Sequence, residues 1–370
     1  MTVLELRRLS SVSRRRRPSS NSQPGAGHGI VQELNLAVDE GEFVALMGDE
    51  GPTVLRLIAG LEPTKGDVLI EGESVIRRPP AARDLAMVFA SGALYPQMTV
   101  QENLSYGLKL RHVPRAEIDD RISLTAEFLK LEGALRERAT TLTPALRQRA
   151  AIARAVVRDP AVYLLDRPLT GLSQHERSEL RSMIRNLWSR LGSATLYATN
   201  DVEEAMALAN RLAVLRNGAI EQIAPPLEIY RRPATLNVAK AVGFPTMNFF
   251  TIRMDNAGIL VELAGGQMTA LASPMSTLAE RALILGIRPE HVRLVESPEP
   301  PALTLKVEWI ERLGVESLVH ARLPAAHGET LLIRTQEATR VQENDTIYVM
   351  FPSELIHLFD GQSGVRLGPH

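Results

Sequence analysis

Two glycines three residues apart, Gly48 and Gly51, separate the apolar stretch EFVAL from a second apolar stretch, VLRLIAGL. A strand, a glycine-rich turn and a helix in this order are typical of a phosphate-binding loop with the pattern G-x-x-x-x-G-K-[ST]. In such a loop the backbone N–H groups surround the phosphates, the lysine contacts the β and γ oxygens, and the hydroxyl holds Mg²⁺. The pattern is incomplete here, because the first lysine after Gly48 is Lys65, beyond the second apolar stretch.

Length and composition favour a cytosolic protein of more than one domain. The chain has 370 residues, enough for two or three domains. Its net charge of −1 does not favour nucleic acid or an acidic membrane as a partner. The absence of cysteine excludes a disulfide scaffold and a thiolate metal site. The N-terminus lacks an apolar signal core, and no apolar run is long enough to cross a membrane.

Two regions with different patterns follow one another along the chain. Apolar strands alternate with amphipathic helices up to about residue 235, which predicts a mainly parallel α/β sheet. Short alternating strands fill residues 245–370 and predict an all-β domain of one or two barrels. We therefore expect domains at residues 1–240 and 241–370. Residues 10–29, which include the run Arg14–Arg17, predict a mobile loop between two edge strands.

Several longer motifs resemble one family along nearly the whole chain. They are EFVALMG, LRLIAGLEPTKGDVLIEG, LAMVFASGALYPQMTVQENLSYGL, RQRAAIARAVVRDPAVYLLDRPL and LGIRPEHVRL. In order and spacing they are similar to the ATPase subunits of ABC importers of the maltose and glycerol-phosphate type. The resemblance implies an α/β nucleotide-binding domain of P-loop type, with a helical subdomain at about residues 91–160. It also implies a following all-β, OB-like regulatory domain of TOBE type.

The phosphate-binding loop departs from the pattern of that family. Gly48, Gly51 and Thr53 match it, but about three residues are missing, and the lysine is among them. Asp49 and Glu50 add two negative charges where phosphates would lie, and repulsion of about 1–4 kcal/mol per close pair opposes binding. We expect the remainder of a nucleotide site that no longer binds phosphate tightly. The alternative is a loop of altered geometry that still holds ATP.

The other catalytic positions of the family have changed as well. Asp166 matches the carboxylate that positions Mg²⁺, but Arg167 replaces the glutamate that activates water, and an arginine cannot act as a base near neutral pH. Asn200 replaces the switch histidine, Ala90 replaces the glutamine that faces Mg²⁺, and Ser173 replaces an aspartate of the dimer interface. These changes predict that the chain has no catalytic residue or metal site of its own. Asp166 is then expected to pair with Arg167 or to cap a backbone group.

The family's L-S-G-G-Q motif, which contacts the ATP of the partner subunit, is LTPAL in this chain. Thr143 keeps a hydroxyl group, whereas Pro144 and Ala145 replace the two glycines that let the backbone approach the phosphate. A site formed with a partner's phosphate-binding loop is therefore expected to turn over poorly at best.

The region that contacts the membrane subunits in the family is retained in the stretch ALYPQMTVQENLSYGL. The resemblance places Tyr95, Pro96 and Met98 at that docking surface. The alternative is that these side chains form part of the core of the helical subdomain.

Together these features predict a degenerate ATP-binding-cassette subunit of an importer for a sugar, polyol, glycerol or glycerol-phosphate-like solute. The expected partners are a second ATPase subunit with intact motifs, two transmembrane permease subunits and, indirectly, a solute-binding protein, but no nucleic acid. ATP and Mg²⁺ are expected at most at the site shared with the partner, and the chain at the inner face of the membrane. Two alternatives are a regulatory or scaffold protein outside transport, and a weakly active ATPase with a compensating loop.

Overall fold

The computed structural model describes residues 1–12, 30–254, 260–262, 268–270, 282–297, 302–323, 330–335 and 341–368. The Arg14–Arg17 run lies outside these residues. The chain divides after Glu228 into two compact units. This division lies before the boundary predicted between residues 240 and 241.

The first unit alternates strands and helices in the predicted order. Its strands are β1 (Thr2–Ser11), β2 (Leu34–Asp39), β3 (Phe43–Met47), β4 (Thr64–Ile70), β5 (Glu73–Ser74), β6 (Leu85–Val88), β7 (Val162–Asp166), β8 (Ala194–Thr199), β9 (Arg211–Arg216) and β10 (Ala219–Ala224). Its helices are α1 (Gly51–Ile58), α2 (Val100–Leu110), α3 (Arg115–Leu129), α4 (Pro144–Val156), α5 (Gln174–Leu191) and α6 (Val202–Leu208). Helix α7 (Pro226–Arg231) contains the division between the units.

A six-stranded sheet in the order β10-β9-β3-β8-β7-β6 forms the centre of this unit. Strands β3, β7 and β8 are buried along their whole length, in agreement with their mainly apolar sequences. Four neighbouring pairs are parallel, whereas β9 and β10 form an antiparallel hairpin that turns at Asn217 and Gly218, both with positive φ. The predicted parallel α/β sheet is confirmed.

A second, antiparallel sheet has the order β2-β1-β4-β5. Strand β1 is therefore an interior strand, because it pairs with β4 as well as with β2. The expectation of two edge strands is wrong for β1. The predicted loop also starts too early, since Ser10 and Ser11 belong to β1 and pair with Lys65 and Thr64.

Helices α2, α3 and α4 lie in the segment predicted as the helical subdomain. Thr99 and Glu102 form a capping box at the start of α2, and the backbone N–H of Glu102 donates to the Thr99 hydroxyl at 3.1 Å. Buried apolar side chains such as Leu104, Ile118 and Ile152 join these helices to one core that also includes β7.

The second unit consists mainly of antiparallel strands after the short helix α8 (Leu236–Ala241). They are β11 (Asn248–Met254), β12 (Leu260–Glu262), β13 (Met268–Ala270), β14 (Leu283–Ile287), β15 (Arg293–Val295), β16 (Leu303–Arg312), β17 (Ser317–Arg322), β18 (Thr330–Thr335), β19 (Thr346–Met350), β20 (His357–Asp360) and β21 (Arg366–Leu367). They form a six-stranded sheet, β13-β12-β11-β14-β20-β21, and a five-stranded sheet, β15-β19-β16-β17-β18, which share one apolar core. Within the described ranges, no helix is both long and apolar enough to cross a membrane.

Candidate functional site

The turn between β3 and α1, residues 48–50 and here called the shortened loop, lies at the carboxyl ends of β3, β7 and β8. Gly48 has a φ of +141°, and a Cβ there would lie 2.8 Å from the carbonyl oxygen of Leu215, so the position requires glycine. Helix α1 begins at Gly51, with Pro52 in its first turn, two residues before the start expected at Thr53.

The backbone N–H groups of Gly48 and Gly51 are already engaged within the chain. The N–H of Gly48 donates to the side-chain oxygen of Asn200 at 3.3 Å, and the N–H of Gly51 donates to the carbonyl of Gly48 at 3.2 Å. Pro52 has no N–H to donate. In this conformation these three positions offer no free backbone donor to a phosphate.

The two acidic residues of the shortened loop contact the chain's own groups. The Asp49 carboxylate accepts a hydrogen bond of 3.0 Å from the side-chain amide of Asn200 and lies 3.5 Å from the guanidinium of Arg167. The Glu50 carboxylate accepts from the N–H of Gly218 at 3.1 Å. The sequence indicates only the repulsion that Asp49 and Glu50 add and gives no signal of these contacts.

Asp166 ends β7 and is 8% exposed. Its carboxylate lies 4.0 Å from Arg56, which also donates to Thr53 at 3.2 Å and to Glu62 at 2.6 Å. Burial raises the pKa of the Asp166 carboxyl, although the nearby Arg56 and Arg167 act in the opposite direction. The predicted pairing of Asp166 with Arg167 is wrong. Asp166 pairs with Arg56, and Arg167 pairs with Asp49.

The segment after β8 is held by a buried carboxylate that sequence reasoning did not identify. Glu204 is 4% exposed and accepts from the hydroxyls of Tyr197 at 2.8 Å and Thr199 at 2.7 Å. Asp201 caps α6 by accepting from the N–H of Glu204, and Arg177 pairs with both acids. A cavity of about 300 Å³ beside this network is lined partly by Arg167 and Asn200. The burial of Glu204 could not be predicted from the sequence, because an acidic residue in the first turn of a helix is usually exposed.

Thr143 of the LTPAL motif and Ser173 are the N-cap residues of α4 and α5. Thr143 accepts from the N–H of Leu146 at 3.3 Å at the start of α4; Thr143 and Pro144 are exposed, whereas Ala145 is buried. Ser173 forms a capping box with Glu176 at the start of α5. Ala90 is exposed after β6. In the described part of the chain, no three acidic or histidine side chains are placed to hold a metal ion.

A groove of about 620 Å³ lies between α2, α4 and the segment after β6. Its rim carries two exposed tyrosines, Tyr95 and Tyr106, whose rings are 5.0 Å apart, and Leu110, which is 65% exposed. Arg154 lies 5.7 Å from the Tyr95 ring, and burial lowers the pKa of this arginine. The side chain of Asn103, itself fully buried, accepts from the N–H of Tyr95 at 2.7 Å and fixes this rim.

Of the three predicted docking residues, one lines the groove and two do not. Tyr95 lines the groove, whereas the exposed Pro96 and the half-buried Met98 do not. Sequence reasoning missed Tyr106 and Leu110. Their spacing of four residues on a helix would have indicated a shared face, but the same spacing is typical of a core.

Comparisons with known proteins identify the two regions of the chain. Residues 31–170 match the ABC transporter family, residues 243–292 the MalK OB fold domain and residues 285–359 the TOBE domain. The chain is 40% identical over 342 residues to the sn-glycerol-3-phosphate import ATP-binding protein UgpC of Escherichia coli O157:H7, covering 91% of this chain and 95% of that protein. It is 42% identical over 346 residues to the protein of the same name from Cereibacter sphaeroides, covering 92% and 96%.

A solved structure supports the fold of the first unit. The ATP-binding cassette MJ0796, in a dimeric post-hydrolysis state bound to ADP and Pi, superposes with a TM-score of 0.51 and 22% identity over 60% of this chain and 98% of that one. At this identity the likeness concerns the fold alone. The family matches and the extended identity together show that the chain belongs to the ATP-binding subunits of ABC importers that carry MalK-type OB-fold and TOBE domains.

Proposed function

We propose that the chain is a catalytically degenerate subunit of an ABC importer, which couples a partner ATPase to the membrane permease without hydrolysing ATP at its own phosphate-binding loop. One observation carries this proposal: the shortened loop is bound to the chain's own side chains. Gly48, Asp49 and Glu50 each contact another part of the chain through their donors or acceptors.

The residues present do not fit MgATP at this position. The lysine is missing, Pro52 has no N–H, and Asp49 adds a negative charge next to the start of α1. Arg167 cannot activate water, and its charge is directed to Asp49. Asp166 is the remaining candidate for Mg²⁺, but Arg56 lies beside it and burial disfavours its charged form.

The names of two relatives support a choice of solute. Two UgpC proteins named for sn-glycerol-3-phosphate import are about 40% identical to this chain over nine-tenths of its length. We therefore propose glycerol-3-phosphate or a closely similar polyol phosphate as the solute of the complete transporter. The solute would be selected by the membrane and binding subunits, which are separate chains.

A competent partner is required because two copies of this chain would contain two altered phosphate-binding loops. In the proposed heterodimer, the partner supplies the lysine and the catalytic glutamate, and this chain supplies Thr143. The Thr143 hydroxyl already caps α4, so its contribution to a phosphate competes with that cap. This chain therefore weakens turnover at the shared site.

The groove beside α2 provides the surface for the membrane subunits in this proposal. Tyr95, Tyr106 and Leu110 leave apolar surface exposed along one side, which suits a short amphipathic helix of a permease. Binding there would place the chain at the inner face of the membrane as a peripheral subunit.

The proposal is tested by uptake of labelled glycerol-3-phosphate into cells that express the complete transporter. Substitution of the P-loop lysine in the partner ATPase is expected to abolish uptake and ATP hydrolysis. Replacement of Asp166 by Asn in this chain is the matched control and is expected to leave both unchanged. Hydrolysis that survives the partner's substitution would support an active ATPase with a compensating loop instead. A chain that co-purifies with no permease would support a scaffold role.

A further inference from the structure

We propose that the Asp49 carboxylate acts as a built-in anion that takes the place of a bound phosphate and holds the segment after β8 against the shortened loop. The inference concerns the conformation of this chain and does not depend on the solute or on a partner. It rests on the convergence of two side chains from different strands on one carboxylate.

Asp49, whose side chain is 86% exposed, lies at the edge of the sheet where open α/β sheets bind ligands. The carboxylate lies beyond the carboxyl ends of parallel strands, next to the start of α1, and ligands of open α/β sheets bind at this edge. A helix start adds a favourable partial positive charge for an anion. Asp49 therefore supplies, within the chain, the charge that this location favours.

The donors around the carboxylate come from the ends of β7 and β8. Arg167 directly follows β7 and adopts a positive φ of 44°, which is uncommon for a residue with a side chain. Its backbone N–H donates to the carbonyl of Ala198 at 3.0 Å, while its guanidinium faces Asp49 at 3.5 Å. An arginine and an amide around an oxyanion form the donor set that phosphate groups also prefer.

Asn200 uses both ends of its amide to join the two segments. Its nitrogen donates to Asp49 at 3.0 Å, and its oxygen accepts from the N–H of Gly48 at 3.3 Å. The next residue, Asp201, caps α6 and pairs with Arg177 on α5. The junction between the shortened loop and α6 is therefore closed by contacts within the chain, without a nucleotide.

Hydrogen exchange of residues 199–205 in the full chain measures how firmly this junction is closed. Asp49→Ala removes the carboxylate and is expected to raise the exchange rate of this segment about 3- to 10-fold. Asp49→Asn keeps an acceptor oxygen without the charge and is expected to give an intermediate rise. Glu40→Ala, which removes an exposed carboxylate on the turn after β2, is the matched control and is expected to change nothing.

Chemical rescue distinguishes an anion from a residue that merely packs. Inorganic phosphate or acetate, added in excess to Asp49→Ala, is expected to restore slow exchange, whereas neither should affect the unsubstituted chain. In the double variant Asp49→Ala/Asn200→Ala the amide donor is missing as well, so the same anions should not restore slow exchange. Unchanged exchange in Asp49→Ala, or a rise that neither anion reverses, would overturn the proposal.

Discussion

Asp166, the last residue of β7, faces Arg56 on α1 at 4.0 Å, although Arg167 is its neighbour in the chain. The two arginines therefore lie beside different acids, since Arg167 pairs with Asp49, while Arg56 also donates to Glu62 at 2.6 Å. The charges of the altered site are therefore balanced by residues from other segments and not by neighbours in the chain. Each acidic group that would otherwise face an anion or a cation ligand has a partner within the chain.

Replacing Asp166 by Asn should leave the chain as stable as before or up to about 1 kcal/mol more stable at neutral pH. Burial raises the pKa of this carboxyl above its unfolded value of 3.8, so the folded state disfavours the charged form. This group consequently lowers stability at neutral pH; its unfavourable contribution begins to decline as the pH falls through the raised pKa and is absent below the unfolded value of 3.8. Denaturant unfolding at two pH values checks this, with Glu71→Gln on an exposed turn as the control. A loss above about 2 kcal/mol would contradict it.

Acid should destabilise the second unit through His357. Burial, with smaller contributions from Arg366, Arg288 and His291, lowers the pKa of His357 from 6.5 to about 3. The unfolded chain then binds more protons than the folded chain between these values. Stability should therefore be constant above pH 6.5 and fall below it, by at most about 1.4 kcal/mol per pH unit for one proton.

His357→Leu should flatten this pH dependence. The measurement is urea unfolding of the full chain followed by the fluorescence of Trp309, in a Trp188→Phe background that removes the other tryptophan. His175→Gln, at the exposed start of α5, is expected to leave the profile unchanged. An equally steep acid loss in His357→Leu would contradict the assignment to this residue.

Leu110→Gln should weaken binding to the membrane subunits about tenfold while changing the free energy of unfolding by less than about 0.5 kcal/mol. Leu110 is 65% exposed at the rim of the groove, so its apolar surface is available to a partner rather than to the core. Leu124→Gln is a closely matched control, because Leu124 is 61% exposed on α3 and does not line the groove. Binding to permease in nanodiscs gives the two affinities, and equal effects of both substitutions would argue against docking in the groove.

Ser173→Ala should cost about 1 kcal/mol of stability. The Ser173 hydroxyl and the Glu176 carboxylate form a capping box at the start of α5, so the residue at the family's aspartate position caps a helix in this chain. Ser182→Ala tests a serine on the exposed face of the same helix and should be neutral. Thermal unfolding of both variants measures the difference, and an equal effect of the two would show that the cap contributes little.

The order of elements in the first unit could be predicted because each element carries a local signal. Strands β3 and β7 are short apolar runs, and Asn217 with Gly218 supplies the positive φ values of a hairpin turn. The interior position of β1 had no such signal. It depends on pairing with β4, which a later part of the chain supplies.

The sequence predicts which catalytic residues the candidate site lacks, but it does not predict which residues contact one another there. The missing lysine and the presence of Arg167 are visible in the sequence, because motif spacing identifies each position. The pairing of Asp49 with Arg167 and Asn200 depends on strands that meet only in the folded sheet. Charge type alone did not decide between Asp49 and Asp166 as the partner of Arg167.

Binding of ATP to the purified full chain, measured by equilibrium dialysis with labelled nucleotide and Mg²⁺, shows whether the shortened loop still holds a nucleotide. We expect no saturable binding up to millimolar ATP, because the shortened loop lacks its lysine and is bound by Asn200 and Arg167. Saturable binding in the micromolar range that Asp166→Asn abolishes would contradict this expectation, since Asp166 would then still position Mg²⁺ at a working nucleotide site.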